Sequence, residues 1–310
     1  MPDVGENQEI WDGSYDWPEA GDEWSVAWGD ATTQWSATVF PRLQPLLPAK
    51  RVLEIGPGHG RWARFLLPLC ESYVGIDLST SAVEACRQRF AGDPRARFAS
   101  NDGRSLDAAE EGSVDLAFSF DSLVHVEPDV LAAYLRELSR TLAADGVAFL
   151  HHSNLGEYQR AARLRRARAK LRPAGPQRES AGWTHWRSLA MTADLFPELC
   201  AHAGLVCVGQ EKISWLGSRL IDCISVAAKP GSRWERPNVV VRNPYFMTEA
   251  ASAACVAAVY GGFRAGDQRH PGAVPTGSIR YFGASRIMLA SRSIGPWNLS
   301  IQGPFLRRRR

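Results

Sequence analysis

The sequence predicts an α/β fold: a doubly wound sheet of seven strands whose final strand runs antiparallel to the others. Two observations predict it. From residue 51 onward, short apolar runs alternate with helical patterns, and parallel strands need such helical crossovers. The last two apolar runs, near 205–211 and 219–228, lie too close together for a helix between them, so we expect an antiparallel hairpin.

The same patterns give each element in chain order. Strands are expected near residues 51–56, 73–77, 96–100, 114–120, 146–152, 205–211 and 219–228. Helices are expected near residues 60–70, 79–91, 129–143 and 191–203. Residues 51–229 therefore form the central domain, and an insertion at 153–189 is long enough to indicate a function.

An amino-terminal arm, residues 1–50, precedes the sheet. Five of the eleven tryptophans lie in it, interleaved with acidic residues: Trp11, Trp17, Trp24, Trp28 and Trp35. Exposed alone, such a segment would leave a large aromatic area in water. Two interpretations stay open, because the arm could seal the sheet edge or act as a lid whose rings line a ligand pocket.

Residues 230–310 form a carboxyl-terminal appendage of unknown role. They are rich in Gly, Pro and Arg, with a helix candidate at 250–260 and a strand-like stretch at 279–291. A basic run at 160–172 holds seven cationic side chains. That run is either a solvated helix face or a surface that attracts an acidic polymer, a phosphate-bearing substrate or a nucleic-acid backbone.

Composition excludes several classes of protein. Of the 310 residues, 45% are hydrophobic and 22% charged, which is typical of a globular chain. No apolar run approaches the roughly twenty residues that span a bilayer, and the first residues are polar, so we expect no membrane span and a cytoplasmic location. The six cysteines form no Cys-x-x-Cys pair, and a net charge of +3 makes nucleic acid an unlikely general partner.

The turn after the first strand carries the strongest signal for a ligand. Glu54 precedes three glycines at alternate positions, Gly56, Gly58 and Gly60, so a ligand can lie against bare backbone there. About twenty residues later the second strand ends in Asp77, an acid placed to accept hydrogen bonds from ribose hydroxyls. A nucleoside-containing cofactor is therefore expected.

These motifs resemble the class I S-adenosylmethionine-dependent methyltransferases. The resemblance covers roughly residues 20–229 and depends on the glycine turn, on Asp77, on Asn101 with Asp102, and on the segment 119–121. Within the class, the Trp-rich arm and the segments 119–126 and 149–154 are most similar to bacterial O-methyltransferases of sugars and polysaccharides. The resemblance implies a Rossmann-like fold, S-adenosylmethionine as cofactor, and a saccharide or glycosylated small molecule as substrate.

The resemblance also implies the cofactor contacts. The glycine turn would hold the methionine part, Asp77 the ribose, and Asp102 the adenine amino group. The implied cofactor-binding residues are Glu54, Gly56, Gly58, Gly60, Asp77, Asn101, Asp102 and Phe120. A dinucleotide fingerprint is disfavoured, because Arg61 stands where its third glycine belongs.

Methylating an alcohol requires a group that takes the hydroxyl proton, and histidine suits that task near neutral pH. Four candidates lie at or just past strand ends: His152, His151, Asp121 and His125. His151 and His152 are neighbours in a strand, so they point to opposite faces and only one is expected to be catalytic. We favour His152, which is nearer the strand tip, with His151 as the second choice.

Asp121 and His125 also raise the question of a metal. Their spacing places both side chains on one face if a helical turn begins there. The pair resembles the metal-binding Glu-x-x-Glu-His of quinone-biosynthesis O-methyltransferases, but Val124 stands in place of the middle acid. Mg²⁺ or another divalent cation bound by Asp121 and His125 stays open, as does a carboxylate–imidazole pair without a cation.

Aromatic residues are candidates for holding the substrate, since aromatic faces pack against the CH faces of sugar rings. They are Trp24, Trp28, Trp183, His185 and Trp186. The expected function is S-adenosylmethionine-dependent O-methylation of a sugar hydroxyl. Two alternatives stay open, an N- or phenol O-methyltransferase of a small metabolite and a non-catalytic S-adenosylmethionine-binding protein, and assembly as a homodimer also stays open.

Overall fold

The computed structural model of the chain describes residues 3–159, 187–215, 219–253 and 256. Several predicted features fall outside these ranges. They are the basic run 160–172, most of the insertion 153–189, the residues Trp183, His185 and Trp186, and the stretch 279–291. In the part of the chain that is described, no helix combines the length and apolarity required to cross a bilayer.

Eight strands form one sheet in the described residues. They are β1 (Arg51–Ile55), β2 (Ser72–Asp77), β3 (Ala96–Ser100), β4 (Val114–Ser119), β5 (Leu142–Ser153), β6 (Val206–Ile213), β7 (Asp222–Ala228) and β8 (Val239–Asn243). Their order across the sheet is β3-β2-β1-β4-β5-β7-β6-β8. β7 pairs antiparallel with both β5 and β6, and the other pairs are parallel. The predicted α/β fold with a Rossmann-like sheet is confirmed.

The helices flank this sheet and precede it in the arm. They are α1 (Val4–Glu9), α2 (Ala31–Gln34), α3 (Phe40–Leu43), α4 (Ala63–Leu66), α5 (Thr80–Arg89), α6 (Pro128–Thr141) and α7 (Leu195–His202). Ser79 caps α5 by accepting from the Ala82 amide, and Pro128 begins α6 where its missing N–H costs nothing. Gly204, at φ 78°, lets the chain turn away after α7.

Two predicted elements differ in length from the observed ones. The helix expected at 60–70 is reduced to α4 and a 3₁₀ turn at Leu67–Leu69, because Pro68 cannot continue the hydrogen-bond ladder. β5 begins at Leu142, four residues before the expected start, with a register shift against β4 between Val114 and Leu116. A Cβ at Gly146 would lie 2.5 Å from the Val114 carbonyl oxygen, so glycine permits the irregular pairing.

The sequence reasoning missed β8, which adds an eighth strand from within the predicted appendage. Its run Val239-Val240-Val241 is β-branched, a strand signal, but it lacks the alternation of a half-buried strand. The structure explains this, because β8 lies at the sheet edge with all three valines exposed. Residues 239–243 are thus part of the sheet.

The sheet has a hydrophobic core on each face. Val52 packs into the core shared with the arm, and its neighbour Leu53 packs into the core under α6 and α7. Val39 and Leu43 of the arm are fully buried. Since burying such a side chain stabilises a fold by about 1.5–3 kcal/mol, these residues anchor the arm to the sheet.

Candidate functional site

The glycine turn follows β1 at the carboxyl edge of the sheet. Gly56 has φ 71° and Gly58 has φ 55°, a left-handed conformation that glycine adopts without strain. A Cβ at Gly56 would lie 1.9 Å from the Ser122 hydroxyl, and one at Gly58 would lie 2.8 Å from the Trp17 ring. Ser122 and Trp17 can therefore pack this closely against the turn only because Gly56 and Gly58 have no side chains.

Asp77 lies at the end of β2 beside this turn. Its carboxylate accepts hydrogen bonds from the backbone amides of Gly58 and Ser79, both at 2.9 Å. Burial raises the pKa of Asp77, although these two amides partly offset the effect. The side chain ties the first and second loops together where the sequence predicted a ribose contact.

Glu54 lies beneath the turn and is fully buried. One carboxyl oxygen accepts a hydrogen bond from the Tyr73 hydroxyl, and the other has no partner among the described residues. Burial raises the pKa of Glu54 to about 8, against the lowering effects of Tyr73 and Arg61. Glu54 is therefore protonated near neutral pH.

Asn101 and Asp102 shape the loop after β3. The Asn101 amide donates to the Ser105 carbonyl at 2.7 Å and to the Tyr134 hydroxyl at 3.1 Å. Asp102 is exposed and accepts from the Arg104 and Ser105 amides, which lower its pKa. The contact of Asp102 with adenine stays a prediction. Asn101 holds the loop after β3 through its hydrogen bonds to Ser105 and Tyr134.

The arm lies directly over these loops. The Trp17 ring stacks on the His59 ring with centroids 4.4 Å apart, above the glycine turn. Asp12 accepts from the Ser79 hydroxyl at 2.6 Å and from the Ser81 amide at 3.1 Å. Val4 packs beside Gly103, where a Cβ would lie 2.8 Å from its methyl group. The arm thus contacts the loops after β1, β2 and β3.

Several of these arm residues were not among the predicted site residues. The rings of Trp11, Tyr15 and Trp17 are half-buried and contact one another, with centroids 5.1–5.7 Å apart. These residues could have been predicted from the sequence, because each aromatic residue lies next to an acidic one in the chain. Burial and the Glu23 carboxylate, which accepts from the Tyr15 hydroxyl, raise the pKa of Tyr15.

The structure separates the two arm tryptophans that were predicted to hold substrate. Trp24 is half-buried and stacks on Tyr15 with centroids 5.4 Å apart, so it belongs to the aromatic cluster near the loops. Trp28 is only 6% exposed and packs edge-on against Trp215 and Phe246 in the core. Trp28 is therefore a core residue in this structure.

His152, the favoured base, also lies in the core. It is fully buried, stacks on Phe196, and both ring nitrogens have partners: the Ser153 carbonyl at 2.9 Å and the Ser225 hydroxyl at 2.8 Å. Burial lowers the pKa of His152 to about 4. His152 is therefore no longer the favoured base, because its ring points to the face of the sheet that packs under α7.

His151 points to the opposite face, as strand alternation predicts. Its ring lies 4.6 Å from that of Phe120 and 5.6 Å from that of Trp215. Nδ1 accepts from the Asp121 backbone amide at 3.1 Å, and Nε2 lies 3.4 Å from the Asp222 carboxylate. Phe120, predicted as a cofactor contact, is 2% exposed and packs between His151 and Trp62.

Asp121 begins the segment after β4. It has φ 67°, and its carboxylate pairs with Arg61 at 3.0 Å. His125 ends a single 3₁₀ turn, is half-buried, and its ring lies 5.5 Å from that of Trp11. Within the described ranges, no three His, Cys, Asp or Glu side chains come together so as to hold a metal ion. A metal ion bound by Asp121 and His125 stays a prediction. The ion pair with Arg61 does not favour it, because Arg61 already occupies the Asp121 carboxylate.

The residues at the carboxyl edge fit a nucleoside cofactor without phosphates. The glycines of the turn have no side chains, Ser122 and Trp17 pack against them, and Asp77 stands beside the turn. Ser122 packs against Gly56, and the bulky Arg61 and Trp62 follow the turn, so a pyrophosphate would meet side chains rather than a free helix end.

Comparison with known proteins agrees with this fit. Residues 52–146 match a family described as "Methyltransferase domain". The chain is also similar to ribosomal RNA small subunit methyltransferase A of Geobacter metallireducens, with 30% identity over 92 residues. That similarity covers 28% of this chain and 34% of the relative, so the chain matches about a third of the relative's length.

Two solved structures resemble the chain at low sequence identity. An S-adenosylmethionine-dependent methyltransferase from Clostridium acetobutylicum has 14% identity and a TM-score of 0.49, covering 68% of this chain and 96% of its own. The PH0226 protein from Pyrococcus horikoshii has 20% identity and a TM-score of 0.48, covering 64% of this chain and 90% of its own.

Proposed function

We propose that the chain, whose residues 52–146 match a methyltransferase domain, uses S-adenosylmethionine to methylate a hydroxyl of a sugar in an oligosaccharide, polysaccharide or glycosylated metabolite. The cofactor supplies a methyl group on a positively charged sulfur. The protein's residues must hold the acceptor oxygen in line behind that methyl group and remove its proton.

One observation carries the proposal: half-buried aromatic rings of the arm stand against the loops that would hold the cofactor. Trp17 covers Gly58, Trp11 contacts His125, and Trp24 stacks on Tyr15. Aromatic faces pack against the CH faces of sugar rings, and the carboxylates beside them, such as Glu23, can accept from sugar hydroxyls.

We assign the proton-accepting role to His125. Of the three candidate histidines, His151 and His152 are fully buried, so neither ring is accessible to an acceptor that enters the cleft. His125 is half-buried at the edge where the arm meets the segment after β4. A base must reach the acceptor at that edge, because ligands of such sheets lie beyond the carboxyl ends of the strands.

The test uses radiolabelled S-adenosylmethionine and a panel of saccharides of increasing length, with and without a chelator. We expect label transfer to at least one saccharide and no effect of the chelator. His125→Ala should lower the transfer rate by roughly 10²–10⁴-fold, the range that general base catalysis contributes. His202→Ala, an exposed histidine on α7, is the matched control and should leave the rate unchanged.

Other outcomes would favour the two alternatives. An amine acceptor that enters neutral needs no base, so transfer to amines that survives His125→Ala would indicate an N-methyltransferase. Tight binding of S-adenosylmethionine in calorimetry without transfer to any saccharide, phenol or amine would indicate a non-catalytic binding protein. Either result would overturn the sugar proposal.

A further inference from the structure

A chain of buried polar contacts runs from the start of β7 to the end of β4. Arg187 binds the Asp222 carboxylate through two nitrogens, at 2.6 and 2.8 Å. Asp222 is fully buried, and His151 Nε2 lies 3.4 Å from its carboxylate, within ion-pair distance but not aligned as a hydrogen bond. His151 Nδ1 then accepts from the Asp121 amide. Arg187, Asp222 and His151 thus form a chain of contacts that ends at the Asp121 backbone N–H.

These contacts determine the tautomer of His151. A ring nitrogen that accepts from a backbone N–H cannot carry a proton, so the neutral ring must carry its proton on Nε2, facing Asp222. Burial disfavours the charged form of Asp222, but Arg187 and His151 outweigh burial and hold its pKa well below the usual range. A permanent carboxylate therefore faces the Nε2–H bond.

The N–H that His151 accepts belongs to a residue in an unusual conformation. Asp121 has a positive φ, which few residues other than glycine adopt, and such positions cluster where structure is held for a function. Arg61 holds its side chain from the glycine turn. The next residue, Ser122, packs against Gly56, and the turn that follows ends at His125. The backbone at Asp121 thus sets the direction of the whole segment.

We propose that His151, Asp222 and Arg187 are positioning residues that fix the backbone of Asp121 and so orient residues 121–125, with His125, toward the methyl donor. This proposal rests on the proposed function of His125. None of the three residues needs to touch the substrate. They act through the Asp121 amide, and their removal lets the segment leave the left-handed conformation.

The first part of the test does not depend on an acceptor. In protein labelled with ¹⁵N-histidine, NMR should show His151 protonated at Nε2 and unprotonated at Nδ1, with its signals identified by their loss in His151→Asn. A ring protonated at Nδ1, or at both nitrogens, overturns the proposal. This result stands even if no saccharide is methylated, so it separates failure of this proposal from failure of the sugar assignment.

The second part measures turnover in two variants. His151→Phe keeps the ring packing against Phe120 and Trp215 but removes the acceptor, so it should lower kcat roughly 100-fold, the loss that a misplacement of about 1 Å causes, with the donor affinity unchanged. His151→Asn offers its Oδ1 in place of Nδ1 and should retain most of the activity. This second variant keeps the test valid if His151→Phe does not fold.

The control is Phe149→Leu, a substitution on the same strand at a residue that is 2% exposed. It should lower stability and leave kcat unchanged. Equal losses of kcat in His151→Phe and His151→Asn, or a loss as large in Phe149→Leu, would show that β5 acts only through packing and would overturn the proposal.

Discussion

At the scale of single residues, burial changes the chemistry of groups whose types the sequence already suggested. Glu54 was expected at the glycine turn, and its position is as predicted. Its protonation was not predictable, because it follows from complete burial beside Tyr73. In the same way, the identical neighbours His151 and His152 differ only in the face of β5 to which they point.

The raised pKa of Glu54 makes stability depend on pH. The unfolded carboxyl releases its proton near pH 4.5, whereas the folded one keeps it to about pH 8. The folded state therefore binds more protons across this window, and the free energy of unfolding should fall as pH rises from 4.5 to 8. Urea titrations should show that Glu54→Gln flattens this fall, and Glu71→Gln, an exposed acid, should not. A wild-type curve that is flat across the window would contradict the prediction.

Gln34 gives a second prediction at this scale. It is fully buried, and neither amide atom has a hydrogen-bond partner within the described residues. Gln34→Met should therefore raise the free energy of unfolding by about 1–2 kcal/mol, since an unsatisfied buried amide is removed. Gln210→Met is the control. The Gln210 amide donates to the Ala193 carbonyl and the Ser225 hydroxyl, so this substitution should lower the free energy of unfolding. Destabilisation by both substitutions would indicate that ordered water satisfies Gln34.

At the scale of elements, the regular strands and helices of residues 51–228 followed from the sequence because their apolar periodicity is strong. Three features did not follow. β8 has no buried face, so it carries no alternation, and α4 is short because Pro68 interrupts it. The path of the arm depends on contacts with loops far along the chain, such as Asp12 with Ser79, which periodicity does not encode.

The arm should slow the exchange of cofactor. Asp12 holds the arm to Ser79 and Ser81 by hydrogen bonds. These hydrogen bonds outweigh the effect of burial and lower the pKa of Asp12. Asp12→Ala should weaken closure by about 1 kcal/mol and so speed release of S-adenosylhomocysteine roughly fivefold, as followed by tryptophan fluorescence in stopped flow. Asp16→Ala changes an exposed acid of the same arm and serves as the control. Equal release rates for both variants and the wild type would show that the arm does not gate the site.

At the scale of the whole molecule, one side chain connects three parts of the structure. Arg42 of α3 binds Glu211 of β6 and Glu249, which follows β8, with contacts of 2.6–2.9 Å. Asn243 of β8 donates to both carboxylates. The arm, the sheet edge and the segment after β8 are thus held at one point.

Arg42→Met should destabilise the fold by about 2–4 kcal/mol, because two largely buried carboxylates lose their cationic partner and keep only Asn243 among the described residues. Arg51→Met breaks a more exposed pair with Asp115 and should cost less than about 1 kcal/mol. Urea unfolding measures both changes, and hydrogen exchange should show faster exchange at the β8 amides in Arg42→Met alone. A smaller effect for Arg42 than for Arg51 would contradict this account.

The contacts of Arg42 also bear on how the chain is made. Its partners lie 169 and 207 residues later, and Trp28 packs against Trp215 and Phe246. During synthesis on the ribosome, Trp28 therefore emerges well before Trp215 and Phe246, the residues it packs against, have been made. A nascent chain that exposes this indole ring until its partners are made should bind chaperones, and its yield in cells should respond to their supply.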